Sequence, residues 1–202
     1  VAAAFFAGAY LAGELSNKRL QAHYSEWGRA VTAMISEKFV PKEGPIRRAY
    51  IAHAWDYQRG GGAWDETVDS SLLGLVTPFG VFRKDHPAGR RIADDVRSRL
   101  WNGAVGGVMR YERDHYRGGN PWILTTLWLA IIELSQGKNE GARECFKWVM
   151  SKQTLHGMLP EQVHRESGQP CWVIPLAWSH AMFLLFVRDV VERGAESLIW
   201  EN

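Results

Sequence analysis

Apolar residues recur along this chain at helical spacing, in runs that differ in how far they wrap round the helix. Residues 1–14 are rich in Ala, Phe, Tyr and Leu and predict a buried helix. In residues 18–38, Leu20, Tyr24, Trp27, Val31, Met34 and Ile35 fall three and four apart. That is an amphipathic stripe, which Ser16 or Asn17 can cap. Pro41, Gly44 and Pro45 end it. Residues 48–55 read as a short strand or extended loop, and Gly60 to Gly62 as a loop. Asp69 caps a short helix to Leu75, closed by Pro78 and Gly80. Residues 87–101 predict a helix with Ile92, Val96 and Leu100 on one face. Residues 103–119 predict a loop holding one short strand at 107–111. Asn120 then caps a helix with Pro121 at its first position. That helix runs to about Gln136 and is apolar on every side, so it should be buried all round. An amphipathic helix at 138–152, a long loop at 155–175 and an apolar helix at 176–193 complete the chain.

The pattern predicts an all-α protein of about seven helices. Mostly buried helices alternate with amphipathic ones, as in two concentric layers. Long loops recur after every second helix and fall on one face, and loops of that length are usually functional.

Composition narrows the function. The chain of 202 residues fits one domain, 1–202, with a substantial core. Its net charge is +2, which excludes a strongly basic nucleic-acid binder and gives no drive towards an anionic membrane. The first fifteen residues are too short to span a bilayer and lack a charged leader. A chain opening on Val1 is expected to begin inside a longer protein or to follow processing. Cys145 and Cys171 match no zinc signature and read as free thiols, although a bridge between them is compatible with the spacing. The compartment stays open, with the cytoplasm favoured over secretion. The ten tryptophans have two readings: large core residues of a helical protein, or flat apolar faces lining a sugar-binding cleft.

Three loop clusters mix carboxylates, Arg and aromatics. The first is AWDYQR (54–59) with Trp64, Asp65, Glu66 and Asp69. The second is MRYERD (109–114) with Tyr116 and GGNPW (118–122). The third is LPEQV (159–163) with PLAWSH (175–180). Charged groups grip hydroxyls and aromatics cover ring faces, so the clusters suit a neutral polyhydroxylated ligand. No phosphate-binding glycine motif or nucleophile elbow is present. The seven histidines have no metal-ligand spacing, so neither a metal nor another cofactor is expected. Ser179 and His180 are adjacent on a helix and face apart, which argues against a hydrolase dyad.

Residues 110–130 (RYERDHYRGGNPWILTTLWLA) resemble the glucoamylase-type glycoside hydrolases, family 15. LPEQV and PLAWSHA (175–181) resemble them as well, in matching order and spacing, and WDETVDSSLL (64–73) more weakly. The resemblance covers nearly the whole chain and is loose before Asp69. It implies the C-terminal half to two-thirds of an (α/α)6 barrel, a toroid of six helical hairpins. It also implies inverting removal of terminal α-linked glucose from oligo- or polysaccharides, with Glu161 as general base. By the same resemblance Arg110 holds sugar hydroxyls, Tyr111 and Trp178 match aromatic or structural positions near the sugar pocket, and Trp122 stands at the start of the inner helix behind it. Trp178 reads equally as core packing, and Trp64 and Asp65 are candidates to line the cleft. The family's general acid has no match here and is expected in a preceding segment, so this chain alone should be inactive. Half a barrel exposes apolar surface, and the preceding half or a second copy should cover it. A non-catalytic carbohydrate-binding or regulatory helical barrel is the alternative reading, and it leaves the LPEQ carboxylate unexplained. Arg110 can equally pair with Asp114 or Glu112, which themselves read as structural.

Overall fold

The computed structural model describes residues 1–52 and 61–200. The chain forms two compact units, residues 1–66 with 79–81, and residues 67–78 with 82 onward. The first unit opens with a helical hairpin. Helix α1 (Ala2–Glu14) packs along α2 (Lys18–Met34). Asn17 caps α2, its side-chain oxygen accepting from the Leu20 amide at 3.1 Å. Small residues set the approach. Ala2, Ala9, Ala12 and Gly28 are buried, and a Cβ on Gly28 would meet the Phe6 ring at 2.8 Å.

The predicted burial of α1 is not observed. Its alanines line the seam, while Tyr10 and Leu11 are 66% and 59% exposed. The amphipathic stripe of α2 is also part-exposed at Leu20, Trp27 and Met34. Helix α2 gives way to a π-helical turn (Ile35–Phe39) instead of continuing to residue 38. Strands β1 (Ala49–Ala52) and β2 (Gly62–Asp65) then pair antiparallel. The cluster at 54–59 lies outside the described residues.

The second unit is organised by one helix. In α4 (Ile123–Ser135) every residue from Ile123 to Leu134 is buried, as its sequence requires. Helices α3 (Pro87–Leu100), α5 (Asn139–Ser151) and α6 (Ala177–Glu192) pack against it, with the 3-10 turn Ser70–Leu75. That turn is the seventh predicted helix. Asp69 caps it by accepting from the Ser71 amide at 2.8 Å. Helix α6 is not buried all round: Ser179, Met182, Phe186, Asp189 and Val190 form its buried face, and Leu184 and Val191 are exposed. Among the described residues no helix is long and apolar enough to cross a membrane.

The carboxylates buried in this core are paired. Glu133, on buried α4, meets Arg97 of α3 at 2.6 Å, and Arg97 also reaches Glu144 at 2.9 Å. Asp189 pairs with Lys84 and Arg188. Both cysteines are free. Burial pushes the Cys145 thiol up to about 12.

A four-stranded antiparallel sheet, β3 (Val108–Met109), β4 (Pro121–Trp122), β5 (Gln162–Val163) and β6 (Pro170–Cys171), crosses the long loops. Here the expected helix start is corrected. Pro121 and Trp122 are strand, the helix begins at Ile123, and Asn120 caps nothing. A proline tolerated at a helix start is equally tolerated at the first residue of a short strand.

Gly107 shows how tightly the loop before the sheet is seated. Its φ is +81° and an added Cβ would lie 2.3 Å from Trp148. Gly137 shares the conformation, at φ +74°, with nothing within 4 Å. Gly137→Ala should cost about 1 kcal/mol, the left-handed penalty alone. Gly107→Ala should cost at least about twice that, because rigid neighbours must move. Urea unfolding of the two variants checks the difference.

Candidate functional site

The loop from Val108 to Asn120 is positioned from α4. Thr125 donates to the Val108 carbonyl at 2.9 Å, and the Val108 amide donates to the Thr126 hydroxyl at 2.9 Å. Thr126 in turn donates to the Trp122 carbonyl at 2.7 Å. The two threonines therefore fix β3 and β4 to the first turn of the helix. On the other side of the loop, the Ser70 amide donates to the Arg110 carbonyl at 2.6 Å and the Glu112 amide to the Val68 carbonyl at 3.1 Å. Glu112 is structural, accepting from the Val68 amide at 3.0 Å and pairing with Arg99.

Arg110 binds Asp114 through two parallel bonds of 2.7 and 2.8 Å. Asp114 also accepts from the Tyr116 amide at 2.8 Å. The guanidinium lies 4.5 Å from the Tyr116 ring centroid and 5.2 Å from those of Tyr111 and Trp122. Burial pushes the Asp114 carboxyl up, but the bonds from Arg110 and the Tyr116 amide reverse this and hold it below the usual carboxylate value. The same pair raises the Arg110 guanidinium, which stays charged at any working pH.

A cavity of about 320 Å³ opens beside this pair, at the small end of the range for ligand sites. Arg110, Tyr111, Trp122 and Trp178 line it, so four of the predicted site residues converge. Asp69, Ser70, Ser71, Leu124, Thr125 and Trp128 complete the lining. Trp178 is 47% exposed and meets Trp128 edge-on at 6.0 Å. The Trp122 indole N–H is buried and has no hydrogen-bond partner among the described residues.

Glu161 is not part of that lining, but it is directly tied to it. Trp122 pairs with Gln162 across the sheet, and the Ile123 amide donates to the Glu161 carbonyl at 3.2 Å. The Gln162 amide donates to the Glu161 carboxylate at 2.9 Å. Helix α6 holds the segment from behind. Ser179 donates to the Pro160 carbonyl at 2.7 Å, and His180 Nε2 accepts from the Leu159 amide at 3.2 Å. Those bonds engage both side chains of the rejected dyad. Asn120 joins the walls: it donates to Gln162 Oε1 at 3.1 Å and to the Arg117 carbonyl at 2.9 Å, and accepts from the Arg165 amide at 3.0 Å.

Trp64 and Asp65 lie on β2 in the first unit and are not among the lining residues. Asp65 pairs with Arg48, and Trp64 lies under Arg47 at 4.5 Å. Sequence reasoning missed Trp128, whose wholly apolar surroundings gave no signal. It also missed Asn120 as a bridge, since an Asn before Pro reads locally as a cap.

The chain is similar to known carbohydrate enzymes. No protein-family model matches it. It is 34% identical over 194 residues to an uncharacterized glycosyl hydrolase of Methanocaldococcus jannaschii, covering 90% of this chain and 30% of that protein. It is 31% identical over 134 residues to an isomaltose glucohydrolase of Kribbella flavida, covering 61% of this chain and 34% of that protein. The chain thus spans about a third of the length of these relatives. Among solved structures, a bacterial glucoamylase complexed with acarbose superposes with a TM-score of 0.75 at 22% identity, over 95% of this chain and 32% of that one. These findings bear out the resemblance to glucoamylase-type glycoside hydrolases. The fold is part of an (α/α)6 barrel.

The Arg110–Asp114 pair has a pH signature. Asp114 has a lowered folded value, so its stabilisation is complete above the unfolded value of about 3.9 and is lost as pH falls through the folded one. Asp114→Asn should destabilise by about 1–3 kcal/mol at neutral pH, with the difference from wild type shrinking below about pH 4. Urea unfolding of both proteins across pH 2.5–7 (roughly the window of that titration) checks it.

Proposed function

We propose that the protein carrying this chain is an inverting glycoside hydrolase that removes terminal α-linked glucose from oligo- or polysaccharides. The observation that carries the reading is the joining of two walls. One holds the Arg110 cation among the rings of Tyr111, Tyr116 and Trp122, and the other holds Glu161, tied to the first by the Trp122–Gln162 pairing. Arg110 has donors left beyond Asp114 for sugar hydroxyls. Trp178 and Trp122 offer ring faces.

In this mechanism a carboxylic acid from a further segment protonates the glycosidic oxygen as its bond to the anomeric carbon breaks. Glu161 takes a proton from a water that attacks that carbon from the opposite face, giving inverted product. The two carboxyls must stand about 6.5–9.5 Å apart to admit the water. Gln162, donating to Glu161, orients the base. No metal or other cofactor enters this chemistry. A further segment of the protein, or a second copy, covers the apolar faces of α1, α2 and α6. The relative named isomaltose glucohydrolase makes isomaltose a substrate to assay beside maltose. A purely binding barrel would have no use for a carboxylate held in this way.

Glu161→Gln in the whole protein should lower kcat by at least about a thousandfold while glucose-oligosaccharide binding survives, as expected for loss of an essential base. Glucose release followed by proton NMR should show the β-anomer first. Full activity of the variant, or α-anomer as first product, would refute the assignment.

A further inference from the structure

Beside the pocket, the β5–β6 hairpin contains a feature that general-base catalysis does not require. The two strands pair in register at Gln162–Cys171 and Val163–Pro170. One residue further the pairing slips, because the Glu161 amide donates to the Val173 carbonyl at 2.8 Å. Trp172 is thereby an extra residue in its strand, with φ at +67°. Glycine adopts that conformation freely, whereas a bulky residue there is strained. Such irregularities re-aim a side chain and concentrate next to active sites.

The strained residue presents a ring. Trp172 is 44% exposed. The Arg117 guanidinium sits 3.5 Å from its ring centroid, and Arg117 is itself left-handed at φ +51°. Tyr116 meets the Trp172 ring edge-on at 6.4 Å. Tyr116 also packs on Arg110, which lines the pocket. Contacts therefore link the cavity to Trp172: Trp122 and Tyr116 both pack on Arg110, Tyr116 meets Trp172, and Arg117 lies over the Trp172 ring.

We propose that Trp172, braced by Arg117 and Tyr116, is the platform for the second sugar ring of the substrate, the one outside the terminal-glucose pocket. The inference rests on the glycosidase reading above and adds a specificity determinant to it. The cavity of about 320 Å³ is small, so further rings of a chain meet the protein at its mouth. An indole face covers the apolar face of a sugar, and a neighbouring guanidinium donates to its hydroxyls. A turn that needed only to close would be served by glycine at this position.

The test compares the whole protein with its Trp172→Phe, Trp172→Ala and Trp172→Gly variants on maltose, isomaltose and α-D-glucosyl fluoride. The fluoride carries no second ring. Trp172→Ala and Trp172→Gly should lose about 5- to 10-fold in kcat/KM on the preferred disaccharide, the size of one aromatic stacking contact. They should keep wild-type kcat/KM on the fluoride, and Trp172→Phe should keep most of both activities. Trp172→Gly should melt no lower than Trp172→Ala, because glycine relieves the left-handed strain. Equal loss on disaccharide and fluoride, or loss on neither, overturns the platform and leaves the glycosidase reading standing. A wild-type protein that turns over none of the three overturns that reading, and the platform with it.

Discussion

Helix α4 meets protein on every side, and the rest of the second unit is arranged to satisfy that constraint. Twelve successive residues without access to water require neighbours all round, and α3, α5, α6 and the 3-10 turn supply them. The polar groups inside this helix then need partners of their own. Glu133 finds Arg97, and Thr125 and Thr126 find the backbone of β3 and β4. The hydroxyls that complete hydrogen bonding in the core also anchor the loop carrying Arg110. Core stability and site geometry thus share the same few bonds.

The site itself is rigid for a second reason. Arg110 has its guanidinium held in plane by Asp114 and stacked among three rings. A cation held this way pays little ordering entropy when a neutral ligand arrives. Neutral polyhydroxylated molecules offer no charge to pull a flexible side chain into place, so pre-set donors suit them.

Long-period features of the fold were legible in the sequence, and short-range exceptions were not. The apolar run at 123–134, the cap at Asp69 and the face of Ile92, Val96 and Leu100 were read correctly because helical periodicity extends over several turns. Of the four two-residue strands only β3 lies within a predicted strand, at 107–111; the other three gave no signal, since two residues cannot show an alternation. Helices α1 and α6 were expected to be buried from composition. Composition reports what a surface would bury given a partner, and in this chain those faces are open. At the site, residue type marked the loop clusters and the family resemblance singled out Arg110, Tyr111, Trp122 and Trp178, which line one cavity. Neither pointed to the strained backbone of Trp172, which depends on pairing between distant strands.

Asn120 has a mechanical consequence. One side chain bonds at once to the loop that carries Arg117, to Gln162 beside Glu161, and to Arg165 at the turn of the hairpin. The loop beside the cavity and the hairpin beside Glu161 are pinned together there. The loop that carries Arg117 and the strand that follows Glu161 are therefore joined by bonds already in place without any ligand.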